Sequence, residues 1–424
     1  MGNPISRRQA IARTSIAVGA ALLGNPGFAV AHVHKASARA ARLPNILLMV
    51  TAAWSGQGAP DGDMRGLHLP TLARLRRDGV TFENAFSPSP WTLFDYVDVL
   101  KKNGYEAPPH QALGSMDFDT FLDRRPAAKP FFFRFGSDNT DYNEANELTG
   151  FDVPPYLPDT LAVRKSIAYY RQQMEEFDRD AGRVIDRLER TGELANTIVI
   201  VMGETSWPFP RAAGTLYDAG RRVPLIVMHQ GAIPGGKVSK EMVNTADLEV
   251  TFLKSAKVKR SAIRKAPTQT PLPLTDTDAA RRFVFAASAP HAAYQSRSIR
   301  TGQYLYIRNV HPERWPVGAP AAQAVTPFQL DTDVDVAFPG IGNGPAKTAM
   351  IVGRGNPVID RMLDLATAKR PDAELYDVQA DPYQFTNLAA DAALKPIVNW
   401  LDRQLLAELK RTRNPQAALI RPIV

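Results

Sequence analysis

A chain of 424 residues, 44 % hydrophobic and 22 % charged, suits two domains or one large domain with an appendage and excludes the disordered and fibrous classes. It contains no cysteine, which removes disulfides, thiolate metal sites and cysteine nucleophiles together. The net charge of +8 is spread without any long Lys/Arg block, which fits an anionic ligand and argues against a nucleic-acid partner.

The chain opens with the features of an export signal. Ser6-Arg7-Arg8 leads into an apolar run from Ser15 to Leu23. Ala29-Val30-Ala31 then offers a small-residue cleavage site, with Ala36-Ser37-Ala38 as the alternative. Residues 1–31, or 1–38, are expected to be removed, and the apolar run is too short for a membrane span. The paired arginines resemble a twin-arginine signal, although Ala10 stands where an aromatic residue is usual, and the expected location is periplasmic or secreted. Loss of Arg7, Arg8 and Arg13 would lower the charge from +8 to +5.

Beyond the signal, short apolar runs alternate with amphipathic stretches, the pattern of an α/β sheet. Ile46 to Thr51 reads as a first strand. Pro70 to Asp78 reads as a helix that starts on proline and is closed by Gly79. Thr92 to Asn103 follows as a helix stopped by Gly104, and Pro130 to Phe135 as an aromatic strand. A long helix runs from Asp159 to Arg190, capped by Asp159 or Thr160, with Gly182 as its weak point. Thr197 to Met202 and Val223 to Met228 read as buried strands, and Asp247 to Val258 as another helix. Past Ser296 the texture changes. Ser298 to Ile307 has a hairpin pattern turning near Thr301-Gly302, Pro312 to Pro327 is rich in Pro and Ala, and Ala392 to Leu409 is a final helix. There is no internal repeat and no transmembrane run. The expected organisation is an α/β domain over residues 40–295 and a smaller α+β subdomain over 296–424.

Several segments, taken in order, resemble the sulfatase family of the alkaline-phosphatase-like superfamily. They are Pro44-Asn-Ile-Leu-Leu-Met-Val-Thr51, Leu69-Pro-Thr-Leu-Ala-Arg-Leu75 leading to Gly79-Val-Thr-Phe-Glu-Asn-Ala85, and Pro154-Pro-Tyr-Leu-Pro-Asp-Thr160. Gly214-Thr-Leu-Tyr-Asp-Ala-Gly-Arg-Arg-Val-Pro-Leu-Ile226 and Glu374-Leu-Tyr-Asp-Val-Gln-Ala-Asp-Pro-Tyr383 complete the set. The Pro154 to Thr160 run and Trp207-Pro-Phe-Pro210 look most like the heparan N-sulfatase (sulfamidase) branch. The resemblance implies a central mixed sheet flanked by helices and a smaller C-terminal α+β subdomain. It also implies a site at the carboxyl ends of the strands, a calcium or magnesium ion, and a formylglycine nucleophile made from cysteine. The substrates would be sulfate esters or sulfamates of sulfated glycans.

The reactive positions of that pattern hold unreactive side chains here. Two metal-binding aspartates are expected after the first strand, where Ala52 and Ala53 stand. Two more ligands are expected after Met202, where Gly203 and Glu204 stand. Without cysteine no formylglycine can form, and Phe86-Ser-Pro-Ser-Pro90, the text closest to the nucleophile motif, carries Phe and Pro at its ends. The segment that should follow is short, because Trp91 begins the next helical pattern at once. His110 is the candidate catalytic histidine, and Asp138 keeps the acid of an Asp-Pro-His motif that has lost its histidine. Ala213 replaces a lysine, while Arg211, Asp218, Gly220 and Arg222 match. Arg211, Arg222 and Asp138 are the candidate substrate-binding residues, and Glu204 is the one candidate metal ligand. One carboxylate cannot hold a hard dication that needs about six to eight oxygens, so no bound calcium or magnesium is expected. The expectation is a sulfatase-family protein inactive or severely impaired in hydrolysis, or a pseudo-enzyme that binds sulfated or otherwise anionic glycans without turnover.

Overall fold

Asn45 to Ala53 forms the interior strand β1, buried on both faces over most of its length, which is why it reads as one continuous apolar run. The computed structural model describes residues 42–56, 66–88, 97–108, 115–137, 148, 150–263, 270–274, 281–288 and 294–420. Its further strands are β2 (Val80–Phe86), β3 (Phe132–Ser137), β4 (Thr197–Thr205), β5 (Leu225–Met228), β6 (Lys237–Asn244), β7 (Phe283–Ala287), β8 (Ser296–Thr301), β9 (Tyr304–Asn309) and β10 (Ala373–Asp377). The helices are α1 (Pro70–Asp78), α2 (Val97–Lys102), α3 (Ser115–Arg124), α4 (Leu161–Arg190), α5 (Asp218–Arg221), α6 (Asp247–Ser255), α7 (Arg260–Ile263), α8 (Pro327–Thr332), α9 (Pro345–Val352), α10 (Pro357–Thr367) and α11 (Lys395–Arg411).

Six strands make a mixed sheet in the order β3-β1-β4-β5-β2-β6. β3, β1 and β4 run parallel, β5 is antiparallel to both of its neighbours, and β6 is parallel to β2. Side chains alternate along β1, so the strand serves two cores. Leu47 and Met49 join α1, α3, α4 and the α9–α10 region, whereas Ile46, Leu48 and Val50 join Leu100 of α2 and the apolar face of α6. A second sheet, order β10-β9-β8-β7, is antiparallel throughout and packs on α11. It reaches back to β7, ahead of Ser296, because Phe283 pairs with Thr301 of β8. The described residues between 42 and 420 form one compact unit.

Helix α4 explains two details of the sequence. Thr160 is its cap, accepting from the Val163 N–H at 3.2 Å, while Asp159 instead holds the Arg164 guanidinium. The helix runs unbroken through Gly182, since a Cβ there would sit 2.8 Å from Thr71 Oγ1 and glycine is what lets α1 approach. Asp178, on the same side, accepts from the Leu72 N–H at 2.7 Å and the Thr71 N–H at 3.1 Å. It therefore caps α1, whose own N-cap residue, Leu69, offers no side-chain acceptor. Of the expected helix Thr92 to Asn103, only the part from Val97 onward lies within the described residues.

Just past β5, burial holds the His229 imidazole below its ordinary pKa. The fold thus binds fewer protons at this ring than the unfolded chain does. The contribution is present above about pH 6.5 and is lost as pH falls through the depressed value. Thermal melts should show Tm falling between about pH 7 and 5, and His229→Gln should flatten that part of the profile.

Candidate functional site

The carboxyl ends of β1 and β4 lie side by side, the position where open α/β sheets place their ligands. Sequence reasoning ends the second strand at Met202, with Gly203 opening a loop. Instead β4 continues to Thr205, with Thr51 opposite Gly203 and Ala53 opposite Thr205. The Trp54 N–H donates to the Thr205 carbonyl at 2.9 Å, and Thr205 Oγ1 donates to the Ala52 carbonyl at 2.8 Å. Gly203 makes this closure possible. A Cβ there would stand 2.7 Å from the Trp54 carbonyl oxygen and 3.0 Å from Trp54 Cβ.

Glu204 is therefore a strand residue, not a loop ligand. Alternation and register put Arg134, opposite Leu48, on the same face of the sheet as Ala52 and Glu204, and Ala52 offers only a methyl beside Glu204. Arg134 Nη2 donates to Glu204 Oε2 at 3.2 Å, with the two side chains 9 % and 15 % exposed. The remaining acid of the four expected ligand positions is thus neutralised by a guanidinium. Among the described residues no three His, Asp or Glu side chains come together. The chemistry of Ala52, Ala53, Gly203 and a paired Glu204 does not fit a calcium or magnesium ion, which requires a shell of oxygen donors. Arg134 gave a sequence signal that went unused: it is the one charge in the aromatic run Phe131 to Phe135.

The matching segment Arg211 to Arg222 proves to be architectural. Arg211, at φ 70° and 3 % exposed, donates to the carbonyls of Leu365 (2.8 Å) and Gln384 and stacks 3.6 Å over the Tyr217 ring. Asp218 accepts from Arg300 Nε and Nη2, both at 2.9 Å, tying α5 to β8 of the second sheet. Gly220 lies so close to the Ala212 carbonyl that a Cβ would meet its oxygen at 2.2 Å. Arg222 donates to the Glu83 carbonyl at 2.8–3.0 Å and to Asn84 Oδ1, and burial keeps its pKa below the usual arginine value despite Asp218. The terminal nitrogens of Arg211 and the donors of Arg222 are directed at scaffold oxygens, those of Leu365, Gln384, Glu83 and the Asn84 side chain. His110 and Asp138 lie outside the described residues.

Beside the strand ends is a cavity of about 150 Å³. Thr51, Ala52 and Ala53 form one side, and α4 contributes Tyr169, Tyr170, Met174 and Phe177. The Pro208-Phe209-Pro210 loop and residues 342–347, entering α9, form the facing wall, and the pocket remains partly open to solvent. Sequence reasoning missed this wall, because α9 and its approach lie far along the chain in a stretch rich in glycine and proline.

The sulfatase family model matches residues 111–258. An ulvan-active sulfatase of Formosa agariphila is 25 % identical over 282 residues, covering 64 % of this chain and 43 % of its own. The human N-sulphoglucosamine sulphohydrolase is 26 % identical over 285 residues, covering 62 % and 51 %. The chain spans about half the length of these curated relatives. A solved 2-O GAG sulfatase superposes with a TM-score of 0.60 at 15 % identity, over 89 % of this chain and 94 % of that one, which speaks for the fold. Taken with the ordered segments from Pro44 to Tyr383, these matches show that the chain belongs to the sulfatase family.

Proposed function

We propose that this chain is a sulfatase-family protein that holds sulfated or otherwise anionic glycans without hydrolysing them. The observation that carries the reading is the Arg134–Glu204 pair beneath the closed ends of β1 and β4. The single acid at the ligand positions is already paired with the Arg134 guanidinium, which leaves no free carboxylate there for a dication. The ligand class rests on the relatives, one named for ulvan and one for N-sulphoglucosamine, and on the dispersed positive charge of the chain. Loss of one preorganised catalytic donor typically costs about 10²–10³ in rate, and here several reactive groups are replaced together.

The test uses the purified chain with calcium added and with calcium chelated. Sulfate release from an aryl sulfate and from N-sulfoglucosamine should match buffer alone in both conditions, and metal analysis should find no stoichiometric calcium or magnesium. A heparin column should retain the protein at low salt and release it as salt screens the charges. Calcium-dependent sulfate release would replace this reading with that of an active sulfuric ester or sulfamate hydrolase. Absence of retention at low salt would remove the glycan.

A further inference from the structure

We infer that the cavity beside Ala52 and Ala53 is a binding site for one uncharged six-membered ring. This goes beyond the proposed glycan binding and stands independently of it, since it rests on a void and its walls and not on charge.

Size is the first argument. The pocket has room for about 150 Å³, enough for a guest the size of benzene, and it opens to solvent on one side, so a ring can enter without the fold parting. Its walls are largely apolar and are held rigid. Tyr170 stacks on Trp207 with centroids 5.3 Å apart and 26° between planes, and Phe209 packs against both rings. Phe177 stacks on Phe135 at 5.7 Å. The methyl of Ala53 adds to the lining on the α4 side, where a carboxylate would have made it hydrophilic.

Polarity is the second argument. The polar groups of the lining have partners within the protein. Thr51 Oγ1 donates to the Ala53 carbonyl at 3.1 Å, Ser166 Oγ donates to the Ala162 carbonyl at 3.1 Å, and the Tyr170 hydroxyl accepts from the Ser55 N–H at 3.1 Å. Lys347 is the single cation among the lining residues, and it is 2 % exposed. Its Nζ donates to the carbonyls of Val334 at 3.2 Å and Ile341 at 3.1 Å, so its donors face the protein. A sulfate brought into this cavity would lose water and meet a Lys347 ammonium already shared between two backbone carbonyls, which disfavours it. A ring face loses little and gains dispersion contact with the aromatic walls. The shared chemistry is an apolar ring face, supplied by an aryl group or by the flat side of a neutral pyranose.

The test follows the Met174 methyl, which lines the cavity, in protein labelled with ¹³C-methyl methionine and assigned through Met174→Leu. Phenol and methyl glucoside are titrated separately, each at low and at high salt. A saturable ring-current shift of the Met174 signal with phenol, unchanged by salt, identifies an aryl guest. A saturable shift with methyl glucoside identifies the pyranose. Ala53→Leu, which fills the cavity from the strand end, should remove the shift while leaving heparin retention as it was. A Met174 signal that stays still to the solubility limit of both probes, or that shifts equally in Ala53→Leu, overturns the site. Heparin retention is read separately, so failure of the ring site and failure of the glycan reading are distinguishable.

Discussion

Asp218→Ala is expected to destabilise the protein by about 3–5 kcal/mol, because it strands the Arg300 guanidinium in the interior. The two side chains are 7 % and 8 % exposed, and the pair is bidentate. Arg300 additionally donates to the Thr301 carbonyl and lies 5.4 Å from the Phe86 ring, so it cannot swing out to water without disturbing β8 and β2. Chemical denaturation read by tryptophan fluorescence measures the loss. The double variant Asp218→Leu with Arg300→Met gives the decisive sign. Replacing both partners by apolar groups of similar volume removes the stranded charge, so the double variant should be more stable than Asp218→Ala alone. Equal stability of the two would mean that the pair does not hold the sheets together.

Gly203→Asp, the change that restores an acid to a ligand position, is expected to cost about 3 kcal/mol or more and to restore no metal binding. Its Cβ would press on the Trp54 carbonyl at 2.7 Å and the Thr205 carbonyl at 3.0 Å, both backbone atoms within paired strands. The contact cannot be relieved by rotating a side chain, and the new carboxylate would face carbonyl oxygens instead of donors. Thermal denaturation with and without calcium reads both parts. A variant as stable as the parent, or one stabilised by calcium, would show that β1 and β4 part easily at their ends.

These two residues mark what could be read from the chain and what could not. The buried strands were legible because both of their faces are apolar, and α1 because proline opens it and glycine follows it. The ordered segments from Pro44 to Tyr383 carried the family. The continuation of β4 was not legible: Gly203 and Glu204 have poor strand preferences, and what holds them in line is pairing with residues about 150 positions earlier. Charged residues also hid β6, whose sequence KVSKEMVN carries alternating exposure rather than an apolar run. Helices α8, α9 and α10 lie after the Pro/Ala-rich stretch Pro312 to Pro327, in a span read without any helix, although Pro327, Pro345 and Pro357 each stand at a first helical turn. The candidate site was legible as a set of absences. Its positive content, the Arg134–Glu204 pair and the cavity walled by α4 and α9, depends on contacts across the whole fold.

The cap that Asp178 places on α1 has a consequence for the order of assembly. A nine-residue helix is too short to persist alone in water, and α1 carries no acceptor of its own at its start. Its missing acceptor arrives from a residue more than a hundred positions downstream. During synthesis α1 can therefore gain its cap only once α4 has emerged and docked, so its first-turn amides are expected to become protected from hydrogen exchange no earlier than α4 itself.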